Sequence, residues 1–449
     1  MLMHTSKGIS TTAGIAIVIV LLAVAAVAYY LVAMPGAPAG STSSTSQAMT
    51  SSTSQATTSH TSTGTGMMST TAAQKKYSIG VVFDVGGLGD RGFNDLAYQG
   101  MMEANHTLGV DYTYEVAATT SDFPSLFNAM IEKNVSLIVG VGFDMDQVIN
   151  QTAHQYPNRL FAQVDGDIYN VTNIVAIKYQ EHIGSAIVGA LAVAMTRSDK
   201  IAFLGGVSTG IIYKFWNGWK AGAVWASDYL HKNVTLIKQY AGSTFNYFNE
   251  PSAGAQIGQS MIAQGADIIF TAAGGTGIGT FDTVGHYDLQ QGWNWTSTSA
   301  PPVFAIGVDA NQDYYGTYQF FVQHSNTSSS YKAPSFILTS EIKKVDLGVF
   351  NVMKAVVDGN FSNIWNNPST YAPSFYNGQT QLCGPTGDQP CHVRGVYLLG
   401  LAQGAVGPTP MTYTMQYLTP QATHVMAQIT QGILNGTISI PEDYNDSPA

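Results

Sequence analysis

The chain has 449 residues, 45% apolar and only 10% charged, and its 18 basic against 28 acidic residues give a net charge of −10. That balance excludes a nucleic-acid surface, which needs clustered Lys and Arg, and two cysteines exclude a disulfide scaffold or a multi-cysteine metal protein. At about 100–200 residues per domain the length implies two or three units.

The N-terminus reads as an address and a stalk. Residues 8–74 contain no Asp, Glu, Lys or Arg, and within them 13–34 is one unbroken apolar run. At about 1.5 Å per helical residue it covers roughly 33 Å, enough to span a bilayer and too long for a cleaved signal core. Lys7 precedes it and no Lys or Arg follows until Lys75, so the bias of positive charge puts everything after the run outside the cell. Lys7-Gly8 resembles the processing site of archaeal pilin-like signal peptides, and cleavage there would leave the apolar helix in place. Residues 41–71 hold 21 Ser or Thr in 31 positions, too polar to bury surface against the entropy of ordering them. They read as a flexible, O-glycosylated stalk. Ten N-x-S/T sequons follow, at Asn105, Asn134, Asn150, Asn170, Asn233, Asn294, Asn326, Asn360, Asn435 and Asn445, as suits an exported glycoprotein.

From Tyr77 the pattern alternates. Short β-branched runs at 78–83, 137–141, 160–164, 174–177, 200–204, 268–271, 303–308 and 335–338 predict strands. Apolar residues at helical spacing predict helices at 93–108, 183–195, 218–230 and 254–264. Such alternation predicts an α/β protein of right-handed βαβ units on parallel sheets, and some 370 residues suit two doubly wound, Rossmann-like lobes. The expected division is 1–12 cytoplasmic, 13–34 transmembrane and 35–76 linker. Lobe 1 then takes 77–180 and lobe 2 takes 181–340. Residues 341–449 carry the hinge crossing, the return to lobe 1 and elements shared by both lobes.

In open α/β sheets ligands sit beyond the carboxyl ends of the strands. Those ends carry Asp84, Phe143-Asp144, Asp165, Gly205-Gly206, Gly274-Gly275 and Asp309. Carboxylates accept bonds from vicinal hydroxyls, glycines admit a ligand to the backbone and aromatics offer stacking faces, which together describe a polyhydroxy ligand with a flat ring. Each Asp could equally cap the helix that follows it.

Three enzymatic patterns compete. Gly87-x-Gly89-x-x-Gly92 after a strand, with Glu115 further on, matches the dinucleotide fingerprint, but Asp84 and Asp90 would set negative charge against a pyrophosphate. Gly206-Val-Ser208-Thr-Gly210 matches a nucleophile elbow whose partners would be Asp309 and His392; a Gly-rich turn explains it as well. The ten His are scattered without ligand spacing, so no metal and no cofactor is expected. Cys383 and Cys391 are expected to close a small surface loop as a disulfide.

Seven blocks in order then carry a resemblance: FDVGGLGDRGFNDLAYQGM at 83–101, FAQVDG at 161–166, GSAIVGALAVAMTRSDKIAFLGG at 184–206, FWNGWKAGA at 215–223, GADIIFTAAGGTGIG at 265–279, FAIGVDANQ at 304–312 and LTSEIKKVD at 338–346. They are similar to the basic membrane protein family, the purine-nucleoside receptors of ABC importers. The resemblance implies a type I periplasmic-binding-protein fold, no enzymatic activity, a purine nucleoside as ligand and an ABC permease as partner. It implies that Asp84 and Asn94 bond the base and that Phe93 stacks on it, with Phe245 on the opposite face or Phe215 in its place. Asp165 and Asp309 would accept the ribose hydroxyls, Gly274 and Gly275 would bring backbone to the sugar, and Lys343 would complete the cluster.

The chain departs from that family in replacing the lipid-attachment Cys with a helical anchor, in adding bulk at Trp216 and Trp219, and in insertions near 286–299, 315–332 and 364–393. The departures leave room for a sugar or another small polar solute as ligand, and a hydrolase built on Ser208 is the remaining alternative.

Overall fold

The computed structural model describes residues 76–317, 334–366, 369–370, 392–443, 445, 446 and 448. The expected membrane segment 13–34, the Ser/Thr-rich segment 41–71, Asn326 and the Cys383–Cys391 pair lie outside these residues. Among the described residues no helix is long and apolar enough to cross a membrane.

Two six-stranded sheets organise the chain. The first runs β2 (Asp111–Val116), β1 (Ser78–Phe83), β3 (Leu137–Val141), β4 (Leu160–Val164), β5 (Ile174–Tyr179), with the late strand Val396–Leu399 beside β5, and every pairing is parallel. The second repeats that order as β7 (Thr235–Gly242), β6 (Lys200–Val207), β8 (Ile268–Ala272), β9 (Phe304–Asp309), β10 (Ile337–Lys343). It is closed by Val406–Pro408, which pairs antiparallel with β10.

The strands legible in the sequence are the central ones. β3, β5, β8 and β9 are buried along their whole length, as parallel strands covered by helices on both faces must be. β2 and β7 were not expected. They are edge strands in which every residue is exposed or half-exposed, and sequences such as DYTYEV and TLIKQYAG lack the continuous apolar run of a covered strand. The predicted helix 93–108 is found with those bounds. The helix expected at 218–230 starts eight residues earlier, as Gly210–Leu230, and its first turns bury Ile211, Ile212, Phe215, Trp216 and Trp219 at helical spacing. It packs across Glu181–Met195 at very close range: a Cβ on Gly222 would lie 1.9 Å from the Ala186 carbonyl oxygen, so only glycine permits this crossing.

The chain passes between the sheets three times, after β5, after β10 and between Val396–Leu399 and Val406–Pro408. The passages are bonded to one another: Gln180 N donates to Leu399 O at 3.0 Å and Lys344 N to Ala405 O at 2.9 Å. In each sheet strand order reverses beside the first strand, between β1 and β3 and between β6 and β8, which is where the carboxyl ends open a crevice.

Candidate functional site

The crevices of the two sheets face each other across one cavity. The first sheet contributes Asp84, Gly86, Asp90, Phe93, Asn94, Phe143 and Asp165. The second contributes Ile211, Ile212, Phe215, Phe248, Ala272, Ala273, Gly274, Val308 and Asp309, and Lys343 enters from the end of β10 at a crossing. Seven of the nine residues singled out by sequence therefore meet: Asp84, Phe93, Asn94, Asp165, Gly274, Asp309 and Lys343. Phe245 and Gly275 do not line the cavity. The 3-10 turn Phe245–Phe248 presents its last ring, Phe248, to the cavity, whereas Phe245 stacks edge-on against Phe143 at 5.5 Å. Gly275 is the first residue of the helix Gly275–Gln290 and faces Asn249, leaving Gly274 at the wall. The alternative aromatic, Phe215, does line the cavity.

Local backbone geometry aims these groups. Asp165 and Asp309 both sit in the left-handed region, at φ 62° and 61°, immediately at strand ends. Asp is among the few residues that tolerate this region, and such turns concentrate where a site demands them. Lys178 Nζ donates to the Asp165 carbonyl at 3.1 Å and fixes that turn from behind. Val308 N donates to Gln312 Oε1 at 2.9 Å, and Gln312 Nε2 reaches across to donate to Arg91 O at 3.1 Å, tying the second sheet's loop to the first sheet's.

Asp90 settles the glycine pattern at 87–92. Its carboxylate accepts from Gly92 N at 2.9 Å and Asn94 N at 2.8 Å, so it occupies the helix N-terminus that a dinucleotide pyrophosphate would need. Ser208 is exposed, shares a 2.8 Å hydrogen bond with the Tyr213 hydroxyl and does not line the cavity. The Ser208–Asp309 pairing of a hydrolase is therefore not assembled at this cavity, and the side chain of His392 lies outside the described residues. No group of three or more His, Cys, Asp or Glu that could hold a metal occurs among the described residues.

Charge is concentrated here. Lys343 Nζ lies 2.5 Å from Asp165 Oδ2 and stands over three rings, 5.1 Å from the centroid of Phe93, 5.4 Å from Tyr179 and 5.5 Å from Phe215. Burial pulls its ammonium down, but Asp165, Glu181 and Asp309 together hold it above the usual lysine value. Burial pushes Asp84 up to about 7 against the bond from Asn94, and Asp309 up to about 7 against the attraction of Lys343. Asp165 is raised by burial although Lys343 opposes it, and Glu341, wholly buried behind them on β10, is raised well above the carboxylate range by burial and by Asp309. Asn94 Oδ1, Asp165 Oδ1 and Asp309 Oδ1 are buried acceptors without a protein partner, and unpaired buried acceptors are expensive unless something supplies donors.

These shifts fix a pH dependence. A carboxyl that holds its proton more tightly folded than unfolded contributes stability that is present below the unfolded value near 4 and is lost as pH rises through the folded value. Burial places Asp84, Asp146 and Asp309 at about 7 and Asp144 and Asp288 at about 8. His182 acts in the opposite sense, since burial lowers it to about 4 and its neutrality costs stability below its ordinary value. Five carboxyls outweigh one imidazole, so the ligand-free protein should melt at a lower temperature at pH 8.5 than at pH 5.5 when followed by circular dichroism. A melting temperature that rises across that range contradicts the assignment.

Comparison with known proteins agrees with this architecture. The family model of PnrA-like ABC transporter substrate-binding proteins (Bmp) matches residues 77–370. An uncharacterized lipoprotein of Pyrococcus abyssi is 31% identical over 299 residues, covering 66% of this chain and 67% of its own. The ABC transporter nucleoside-binding protein BmpA of Lactococcus lactis is 29% identical over 285 residues, covering 63% and 75%. Among solved structures, a solute-binding protein of an ABC transporter system from Aeropyrum pernix superposes with a TM-score of 0.64 at 22% identity, over 82% of this chain and 94% of that one, a likeness of fold.

Proposed function

The chain belongs to the PnrA-like family of ABC transporter substrate-binding proteins, which are binding proteins and not enzymes, and from that premise we propose that it captures a purine nucleoside between its two lobes and delivers it to an importer permease. What carries the reading is the meeting, in one cavity, of aromatic rings from both lobes with the acceptors Asp165 and Asp309 and the pair Asp84–Asn94. A nucleoside is a flat ring joined to a vicinal diol. The ring takes the faces of Phe93 and Phe248, the diol gives its two protons to Asp165 and Asp309, and Lys343 offsets the carboxylates. Gly274 lines the cavity without a side chain and so lets backbone approach the sugar; its left-handed φ of 55° and the Phe248 carbonyl, 3.0 Å from where a Cβ would stand, favour glycine there. The name of the Lactococcus relative, a nucleoside-binding protein, supports the same ligand class.

The proposed setting is the outer face of the cell membrane. The Pyrococcus relative is named a lipoprotein, whereas the only cysteines of this chain are Cys383 and Cys391, so the apolar run 13–34 serves as anchor and 41–71 as stalk. Sequon asparagines Asn134, Asn170, Asn233, Asn360, Asn435 and Asn445 are exposed and open to glycan.

A thermal-shift panel tests the ligand. Adenosine, guanosine and inosine should raise the melting temperature, ribose and galactose should not, and chromatography should recover the nucleosides unchanged. Stabilisation by sugars alone assigns the cleft to a sugar, and release of free base assigns chemistry to it. The two candidate stacking rings can be separated as well. Base–aromatic stacking contributes about 1–3 kcal/mol, so Phe248→Ala should weaken nucleoside binding about tenfold or more in calorimetry, while Phe245→Ala, off the wall, should change it less than about threefold. The reverse order would return the stacking role to Phe245.

A further inference from the structure

Asp144 lies in the 3-10 turn Phe143–Met145 that follows β3, just behind the cavity wall formed by Phe143 and Asp84. Its carboxylate stands beside Asp84. A Cβ built on Gly142, itself held at φ 126°, would lie 2.7 Å from Asp144 Oδ1 and 2.8 Å from Asp84 Oδ2, so both oxygens reach one point and only glycine leaves room for them. Both Asp144 oxygens are shut off from solvent and neither receives a hydrogen bond from another residue. Asp84 differs: its Oδ1 accepts from Gly86 N and Asn94 Nδ2, each at 2.9 Å. Two buried carboxylates whose oxygens lie no more than about 5.5 Å apart repel each other when both are ionised, so one of them retains its proton. The other charges facing them are Asp90 from the loop before Phe93–Leu108, Asp146 from the first turn of Asp146–Gln155, and Asp165, Asp309 and Lys343 across the cavity, where Lys343 is engaged with Asp165. Asp90 and Asp146 add repulsion and favour retention of the proton.

We propose that Asp84 and Asp144 act as one carboxyl pair whose shared proton rests on either member, which lets the cleft read adenine-type and guanine-type edges with the same side chains. The proposal rests on the nucleoside reading and adds to it a positioning residue and a rule for base selection. Asn94 supplies the fixed half of the reader, because its Nδ2 is bonded to Asp84 while its Oδ1 is a buried acceptor with no partner. An adenine edge presents an N6–H donor beside the N1 acceptor. Asn94 Oδ1 accepts from N6, and Asp84 carrying the proton donates to N1. A guanine edge presents two donors, N2–H and N1–H. Asn94 Oδ1 accepts one, and Asp84 accepts the other as a carboxylate after its proton has moved to Asp144. One proton shifts between two oxygens inside the cleft, and none is taken up or released.

The pair titrates at about 7 and about 8, values that belong to the couple rather than to either residue. At low pH both members are protonated; Asp84 Oδ1 is taken by Gly86 N and Asn94 Nδ2, so Asp84 offers the base its O–H as donor and adenine is favoured. At high pH both are ionised, Asp84 can only accept and guanine is favoured. Calorimetric titration of the full-length protein with adenosine and with guanosine, from pH 6 to pH 8.5, tests this below the range where guanine itself loses N1–H. The adenosine-to-guanosine affinity ratio should fall by about tenfold or more across the range, as one pH unit of titration corresponds to a tenfold change. Asp144→Asn removes the second proton site and one negative neighbour of Asp84, whose proton is favoured first by burial and then by Asp90, so the midpoint of that fall should move down. Asp84→Asn should make the ratio independent of pH. A purely structural role for Asp144 would weaken both ligands alike and leave the midpoint where it was. A wild-type ratio that does not vary with pH, or an unmoved midpoint in Asp144→Asn, overturns the pair while nucleoside binding stands. Absence of binding by either nucleoside at every pH overturns the nucleoside reading with it.

Discussion

Lys343→Met should cost the ligand-free protein about 3–5 kcal/mol and remove measurable nucleoside binding, because it breaks a buried ion pair from one side and leaves the partner charge stranded. Lys343 is 1% exposed and lies 2.5 Å from Asp165, itself 3% exposed, with Asp309, Glu341 and the buried Glu181 within the same field. Methionine retains the length and packing of the stem but none of the charge. The carboxyls respond by holding protons still more tightly, so the penalty should be smaller at pH 5.5 and larger at pH 8.5. Chemical denaturation at the two pH values measures both the size and the trend, and an equal or smaller penalty at pH 8.5 would show that Lys343 does not neutralise this cluster.

Asp309→Asn should move binding and stability in opposite directions. The substitution keeps shape and tolerates the left-handed backbone at φ 61°, but it replaces an ionised acceptor for a ribose hydroxyl by an amide. Hydrogen bonds to charged groups contribute about 1.5–3 kcal/mol, so affinity should fall about 10–100-fold. In the empty protein the same carboxylate is a liability: burial raises it to about 7, and Asp165, Asp90 and Glu181 repel it. Its removal should therefore raise the melting temperature at pH 8, an exchange of stability for function common at binding sites. Loss of both binding and stability would instead make Asp309 a structural residue of the β9 turn.

Much of this site is legible in the sequence for a definite reason. Asp84, Asp165 and Asp309 each end a short, mainly apolar strand, and the topology of an open parallel sheet brings such ends together whatever the lengths between them. Lys343 is legible only through family resemblance, since β10 extends five residues beyond the apolar run that marks it and carries the polar residues Thr339, Ser340, Glu341 and Lys343 in full burial. A buried polar strand next to a lobe crossing has no signature in hydropathy. The Phe245–Phe248 turn shows the other limit: a FNYF run declares that an aromatic is available, and only the 3-10 geometry decides which ring reaches the cavity. Asp144 was visible as a strand-end residue, yet its meaning depends on proximity to Asp84, set by the conformation of Gly142. The edge strands β2 and β7 escape notice because none of their residues is buried, so their sequences carry the composition of loops.

The most direct test is a crystal structure of the protein grown with inosine. The purine should lie between Phe93 and Phe248, its six-membered ring towards Asp84 and Asn94, with the two ribose hydroxyls on Asp165 and Asp309. Inosine bound on any other surface, or held in the cleft with its diol turned away from both carboxylates, would contradict it.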